Sequence, residues 1–338
     1  MSTVADRAGS RRPAPALLLL LAVCALLFVA ALCVGPVPTA PLALPRLLWG
    51  DPGDPLSVIV RELRLPRALL AVLVGASLGL SGAALQGLLR NPLAEPGLLG
   101  ISGCAALCAV LVFYSGLAGH DAWVLPAAGM VGAGGAVLGL YALAGRQASM
   151  LTLILAGVAL NSLAAALTTL VLNLTPNPFA AYEIFFWLMG SLANRSFEHL
   201  WLILPFVTLG AALLLASARG LDALALGEDV AHSLGTDLGA LRRRVILGSA
   251  LAVGSSVAVT GVIGFVGLVV PHLVRPLVGH RPGAVLVLSA VAGAALTLAA
   301  DLGTRFPLLN GELRLGVVTA LLGAPFFIHL VLRSRLPT

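Results

Sequence analysis

Lysine is absent from this 338-residue chain, and charged residues of both signs together make up only 10% of it. The first absence excludes self-powered ATP hydrolysis through a Gly-x-x-x-x-Gly-Lys-Ser/Thr phosphate loop, whose lysine must reach the β- and γ-phosphates. The second excludes an ordinary soluble domain, which carries roughly a quarter charged residues. Aromatic residues are scarce at 5%. The arginines are scattered between apolar runs rather than interleaved with aromatics, so no nucleic-acid surface is expected. The four cysteines, Cys24, Cys33, Cys104 and Cys108, all fall inside apolar runs. Cys104 and Cys108 stand one helical turn apart, but no other ligand types lie beside them. They read as small packing residues, and neither a metal site nor a cofactor is expected.

What the chain has in abundance is apolar sequence. Hydrophobic residues make up 59% of it, and its mean hydropathy is +1.04. Apolar runs recur along the whole length, to be weighed against the about 20 residues that a spanning helix needs. The pattern predicts one all-α polytopic membrane domain over residues 1–338. About ten spans are expected, near 15–34, 66–88, 98–117, 122–144, 150–173, 198–217, 242–262, 266–276, 283–301 and 314–333. The 266–276 segment is too short to cross alone. The first run follows Arg7, Arg11 and Arg12 as a signal peptide's would. It is too long for a usual signal core and no small-residue cleavage site follows, so it is expected to stay as the first span behind a cytoplasmic tail, residues 1–13.

All twenty basic residues are arginine, giving a formal charge of +6. With the N-terminus inside, thirteen arginines fall on the cytoplasmic side, Arg242, Arg243 and Arg244 among them. Seven fall outside: Arg46, Arg61, Arg64, Arg67, Arg195, Arg305 and Arg314. That bias predicts two cytoplasmic termini. A faint internal repeat accompanies it. Gly75, Ser77, Ser81 and Gly82 in one predicted span answer to Gly254, Ser256, Thr260 and Gly261 in another. In this topology the two spans run in opposite directions, as two inverted five-helix halves require. Close-packed membrane helices also repeat such small residues without any ancestry in common.

Two stretches are not spans. Residues 177–190 (NPFAAYEIFFWLMG) are aromatic and amphipathic, suited to a short helix at the outer mouth. Residues 221–240 (LDALALGEDVAHSLGTDLGA) hold Glu228, Asp229 and Asp237 just before the Arg242–Arg244 run. A plain connection takes a few residues, so a loop of this length with helical pattern predicts a docking element.

Other classes of membrane protein fit less well. An ion-coupled carrier places ionisable groups at mid-membrane, whereas Glu62, Glu95, Asp121, Glu183, Asp301 and Glu312 read as lying in loops or at mouths. An intramembrane enzyme needs a nucleophile, a base or a metal set, and the six histidines are dispersed at span ends without ligand spacing.

Several longer segments carry a family resemblance: RLPR (64–67), NPLAEPGLLG (91–100), LAGVAL (155–160), LALGEDVAHSLG (224–235), GFVGLVVPHLVR (264–275) and GELRLGVVTALLGAPFFIHLVLR (311–333). In this order they resemble the FecCD-type permeases of bacterial ABC importers, which take up ferric siderophores, haem and cobalamin. The resemblance implies a non-catalytic permease working as a homodimer in the bacterial inner membrane. Its partners would be two ATP-binding subunits and a substrate-binding protein outside. It places docking to the binding protein's acidic residues on Arg64, Arg67 and Arg305, where arginine suits bidentate carboxylate pairing; anchoring of helix ends at the headgroups is the simpler alternative. Arg314 departs from the family, where proline is common.

The resemblance places the cytoplasmic gate on Asn91, Leu93, Met150 and Leu151, an apolar seal. Met150 and Leu151 replace hydroxyl residues of some relatives, and Asn91-Pro92 is also an ordinary turn start. Coupling to the ATPase falls on Leu226, Gly227, Glu228, Asp229, His232, Leu234 and Gly235. Cargo is less legible. A broad apolar cavity with few polar groups such as Asn161, Ser162, Thr168 and Thr169 suits siderophore, haem and cobalamin alike. An iron chelate is the first expectation, with cobalamin the alternative.

Overall fold

The computed structural model describes residues 13–51, 53–119, 121, 123–145, 149–305 and 313–334. The expected tail up to residue 12, Arg146 and Glu312 lie outside the described residues. The helices are α1 (Pro13–Cys33), α2 (Leu44–Trp49), α3 (Pro55–Val58), α4 (Leu65–Leu88), α5 (Ile101–Tyr114), α6 (Val124–Ala144), α7 (Met150–Leu174), α8 (Pro178–Leu188), α9 (Phe197–Ala216), α10 (Ala218–Leu224), α11 (Glu228–Ser233), α12 (Leu238–Thr260), α13 (Val266–Val274), α14 (Pro282–Thr304) and α15 (Leu315–Ser334). Each predicted span coincides with one of α1, α4 to α7, α9 and α12 to α15. α8 is a short helix within the aromatic stretch where one was expected, and α10 and α11 form the expected helical loop.

The second span differs from its predicted limits. α3, a π-helical turn over Ile59–Arg64 and α4 run on as one 34-residue helix, Pro55–Leu88. Arg61, Glu62 and Arg64 made its first turns read as loop. Pro66 lies inside this helix, where it offers no N–H and its ring crowds the preceding turn. The wider π turn just before it, with the Leu65 N–H donating to the Val60 carbonyl, accommodates that defect. α13 is short, as expected. Its nine residues reach roughly 14 Å at 1.5 Å per residue, against a hydrocarbon core of about 30 Å. It starts after Phe265, a non-glycine residue at φ 66°.

α4 is the central post, buried along most of its length. It approaches α14 through glycine: a β-carbon at Gly75 would overlap the Gly293 carbonyl oxygen, and one at Gly79 that of Ser289. Such small-residue seams let helix backbones touch where no hydrophobic effect drives them together. Gly254 of α12 packs on Ala133 of α6 in the same manner. Counting spans, the second helix of each half thus meets the fourth helix of the other, the exchange that an inverted repeat produces. Replacing Gly75 by alanine should cost about 1–3 kcal/mol by overpacking, read as a lower melting temperature of the detergent-purified protein. The same change at Gly134, whose β-carbon position is open, should leave the melting temperature in place.

Candidate functional site

α14 has functional features at both ends. Gly283 and Asp301 lie roughly 27 Å apart along it at 1.5 Å per residue, near the thickness of the hydrocarbon core. At the Asp301 end an ionic cluster closes the bundle. Asp301 has no exposed surface. Its carboxylate accepts from Arg67 Nε at 2.9 Å and from Arg305 Nη2 at 2.7 Å. Arg67 also donates to Thr304 Oγ1 at 3.1 Å. Arg305 and Arg64 reach the end of α1, whose last carbonyls have no intrahelical donor. Arg305 Nη1 donates to the Ala31 and Val34 carbonyls at 2.5 and 3.0 Å. Arg64 Nη1 donates to those of Leu32 and Cys33 at 2.8 and 3.1 Å, and Arg64 Nη2 to that of Val37. Cations at a helix C-terminus are favoured by its dipole as well.

The structure therefore brings Arg64, Arg67 and Arg305 together, but turns much of their hydrogen-bonding capacity onto this chain. Arg64 is only 6% exposed. Pictured either as outward docking groups or as headgroup anchors, these arginines lack the capping role that the geometry gives them. They line a cavity of about 280 Å³ with Asn194 and Arg195. Arg195 is different in kind: its Nε is buried without a hydrogen-bond partner, and burial lowers its pKa while the guanidinium stays cationic. It also faces a second cavity of about 620 Å³, walled by Phe113, Phe179, Tyr182, Phe186 and Trp187. Arg314 lies over the Phe186 ring there, 4.9 Å from its centroid, a cation–π contact that gives this departure from the family pattern a local role.

At the opposite end of α14, the Asp222 carboxylate accepts from the Gly283 N–H at 2.7 Å and from Arg281 Nε at 2.8 Å, which ties α10 to the start of α14. Leu221 and Leu224 are buried beneath. Gly227 (φ 115°) and Gly235 (φ 78°) bracket α11, taking backbone conformations that other residues rarely adopt. Leu226, Val230 and Leu234 are exposed apolar residues on and beside α11, set among exposed Glu228, Asp229 and His232. Glu228 reaches Arg242 at 3.6 Å. Asp237 caps α12, and the Ala240 N–H bond holds its carboxyl below the usual range.

The expected gate residues occupy two neighbouring segments. Asn91 Oδ1 accepts from the Leu93 N–H at 2.9 Å, the turn anticipated for Asn-Pro. The chain then packs on α7, where a β-carbon at Gly157 would meet Leu98 and Leu99. Met150 and Leu151 stand two turns earlier in α7, behind a Ser149 cap. Leu93 and Leu151 are exposed.

Asp301 and Arg195 are the residues to which sequence reasoning gave no role. The i, i+4 spacing of Asp301 and Arg305 was a usable signal for the first. Nothing in sequence marks the second, whose cavity neighbours Arg64, Arg67 and Arg305 are remote in the chain. Among the described residues, no three of His, Cys, Asp and Glu converge on a common point.

A bundle of apolar helices with a cationic cavity at one end and an exposed helical loop at the other is the body plan of a membrane permease. Residues 20–333 match the FecCD transport family, and the chain belongs to it. It is 44% identical over 298 residues to the vitamin B12 import system permease protein BtuC of Vibrio cholerae, 85% of this chain and 88% of that one. It is 40% identical over 288 residues to the uncharacterized ABC transporter permease protein YvrB of Bacillus subtilis, 83% of this chain and 81% of that one. A solved structure described as an inward-facing conformation of a metal-chelate type ABC transporter matches with a TM-score of 0.84 at 32% identity, covering 94% of this chain and 99% of that one. The chain is a multipass ABC importer permease.

The ionic cluster generates a prediction. Asp301→Asn takes a fully buried carboxylate away from the two largely buried guanidiniums of Arg67 and Arg305, and breaking a buried pair from one side costs about 3–5 kcal/mol. The variant should melt well below the parent in detergent, and an unchanged melting temperature would refute the clamp.

Proposed function

We propose that two copies of this chain form the pathway of an ATP-driven importer for a bulky metal chelate, with cobalamin the leading cargo. The observation that carries the cargo is the 44% identity to a vitamin B12 permease across 85% of the chain. This reverses the order suggested by sequence, which put an iron chelate first. Iron chelates stay the second reading, favoured by the structural match to a metal-chelate type transporter.

A homodimer is supported by the surface of α7. Asn161, Ser162 and Thr169 are exposed on a spanning helix, beside exposed Leu155 and Leu163. Polar side chains facing lipid are costly, so this face belongs against a second copy or a wet pathway. Leu93, Met150 and Leu151, with Asn91 holding the turn, would then close the cytoplasmic end across the dimer axis. A bulky chelate fits such a pathway, because a broad, mostly apolar lining offers few groups that would hold it. Hydrolysis happens on the ATP-binding subunits. Their grip is assigned to Leu226, Gly227, Glu228, Asp229, His232, Leu234 and Gly235, where a short helix and its flanks present exposed apolar side chains beside charged ones to a groove.

The binding protein is assigned to the end of the bundle that carries Arg64, Arg67 and Arg305, taken as periplasmic with both termini cytoplasmic. Four guanidiniums line that cavity, and Asp301 pairs with two of them, Arg67 and Arg305, so an acidic lobe of a partner meets a surplus of positive charge.

Three experiments bear on this reading. Proteoliposomes with the ATPase and the binding protein should accumulate labelled cobalamin only with ATP. Accumulation of a ferric siderophore or haem instead would move the cargo to the second reading, and uptake driven by an ion gradient alone would sink the importer. Leu226→Asp with Leu234→Asp should release the ATPase from an intact permease dimer; co-purification at full stoichiometry would remove the coupling role. Reversal of Arg67 or Arg305 also breaks the Asp301 clamp, so Arg195→Glu is the cleaner probe of docking. It should weaken binding-protein affinity about tenfold or more (1.4 kcal/mol per decade), and unchanged affinity would place docking elsewhere.

A further inference from the structure

α6 and α12 pack on each other through Gly254 and Ala133, yet their outward faces leave a groove. Its lower part, about 520 Å³, is lined by Leu138, Tyr141, Leu153, Arg242, Arg243 and Ile246. Its upper part, about 490 Å³, is lined by Val131, Gly134, Gly135, Leu138, Leu247 and Leu251 among others. The two parts share Leu138 and follow successive turns of both helices, so they form one trough.

Its two ends differ in chemistry. The upper part is almost wholly apolar. Gly134 and Gly135 are exposed there, and nothing lies within 4 Å of where their β-carbons would be. No close helix packing uses these two glycines; what they do is keep the trough deep. The lower end carries Arg242, Arg243 and the Tyr141 hydroxyl, which is buried without a hydrogen-bond partner. Among the described residues nearby charge is unbalanced: three arginines, Arg242, Arg243 and Arg244, stand against two carboxylates, Glu228 and Asp237. Glu228 reaches Arg242 at 3.6 Å, and Asp237 accepts from the Ala240 N–H and also lies near Arg243 and Arg244. From Ile246 to Ser255 the trough rises roughly 14 Å at 1.5 Å per residue, half of the about 30 Å hydrocarbon core. It therefore has the depth of a single leaflet.

We propose that this trough is a binding site for one anionic phospholipid, its phosphate held by Arg243, Arg242 and the Tyr141 hydroxyl and an acyl chain laid over Gly134 and Gly135. A water-soluble phosphate would satisfy the arginines but leave the apolar trough open. A neutral lipid would fill the trough but leave the positive surplus unmet. In the topology proposed above the arginines face the cytoplasmic leaflet, where anionic lipid gathers basic residues. The lipid site itself does not depend on the cargo or on the transport reading.

The test is native mass spectrometry of the full-length, delipidated protein titrated with dioleoyl phosphatidylglycerol, dioleoyl phosphatidylcholine and free glycerol phosphate. One phosphatidylglycerol per chain should be retained, about tenfold more tightly than phosphatidylcholine, and glycerol phosphate should not displace it. Arg243→Gln should erase most of that preference, while Arg244→Gln, which lies outside the trough, should keep it. Gly135→Leu or Gly134→Leu should fill the trough and expel the lipid, with the melting temperature unchanged. Equal retention of the two lipids, displacement by glycerol phosphate, or undiminished retention in the glycine variants would each overturn the site.

Discussion

A carboxylate with no exposed surface must be paired, because the cost of taking an ion out of water is several kcal/mol even after relaxation. Asp301 meets that requirement with two guanidiniums, from α4 and from the turn after α14. Those guanidiniums are themselves too large and too charged to be neutralised by one carboxylate. Arg305 turns further N–H groups onto carbonyls at the C-terminal end of α1, joined there by Arg64, while Arg67 donates to Thr304 Oγ1. The end of one helix, the start of a second and the end of a third are thus fixed by the same few ions. The rest of the bundle follows from that fixed end. α4 and α14 leave it side by side and touch through Gly75, Gly79 and Gly293.

α14 connects this cluster with the opposite face. At its start, Asp222 binds both the Gly283 N–H and Arg281, holding α10 and through it α11. α14 is thus a closely packed helix that ties the Asp301 cluster at one end of the bundle to the helical loop at the other. The ends of α13 fit the same picture. A helix too short to cross, entered through Phe265 at positive φ, belongs to the broken elements that are tolerated at membrane depth only when buried in protein.

Much of this was legible in the sequence, because the membrane imposes the strongest constraint on it. Hydropathy located each spanning helix, and the Gly/Ser spacing at residues 75–82 and 254–261 announced the inverted halves. The aromatic stretch at 177–190 and the acidic loop at 221–240 were visible as departures from apolar sequence. What escaped were features set by distant partners. The π turn before Pro66 let the second span start eleven residues earlier than hydropathy indicated, since Arg61, Glu62 and Arg64 sit inside a helix. Asp301 looked like a residue at a mouth, and only the fold brings Arg67 to it across more than two hundred residues. The free edge of Arg195 is likewise a consequence of packing. Family resemblance located the arginines but could not reveal that most of their donors are used within the chain.

The most direct test of the ionic cluster is a double-mutant cycle on melting free energy in detergent, using Asp301→Asn, Arg67→Gln and the two combined. If one carboxylate organises this end of the bundle, the double variant will be less destabilised than the sum of the single ones, by about 0.5–3 kcal/mol. Additive losses would contradict it, and would mean that Asp301 and Arg67 stabilise the protein independently.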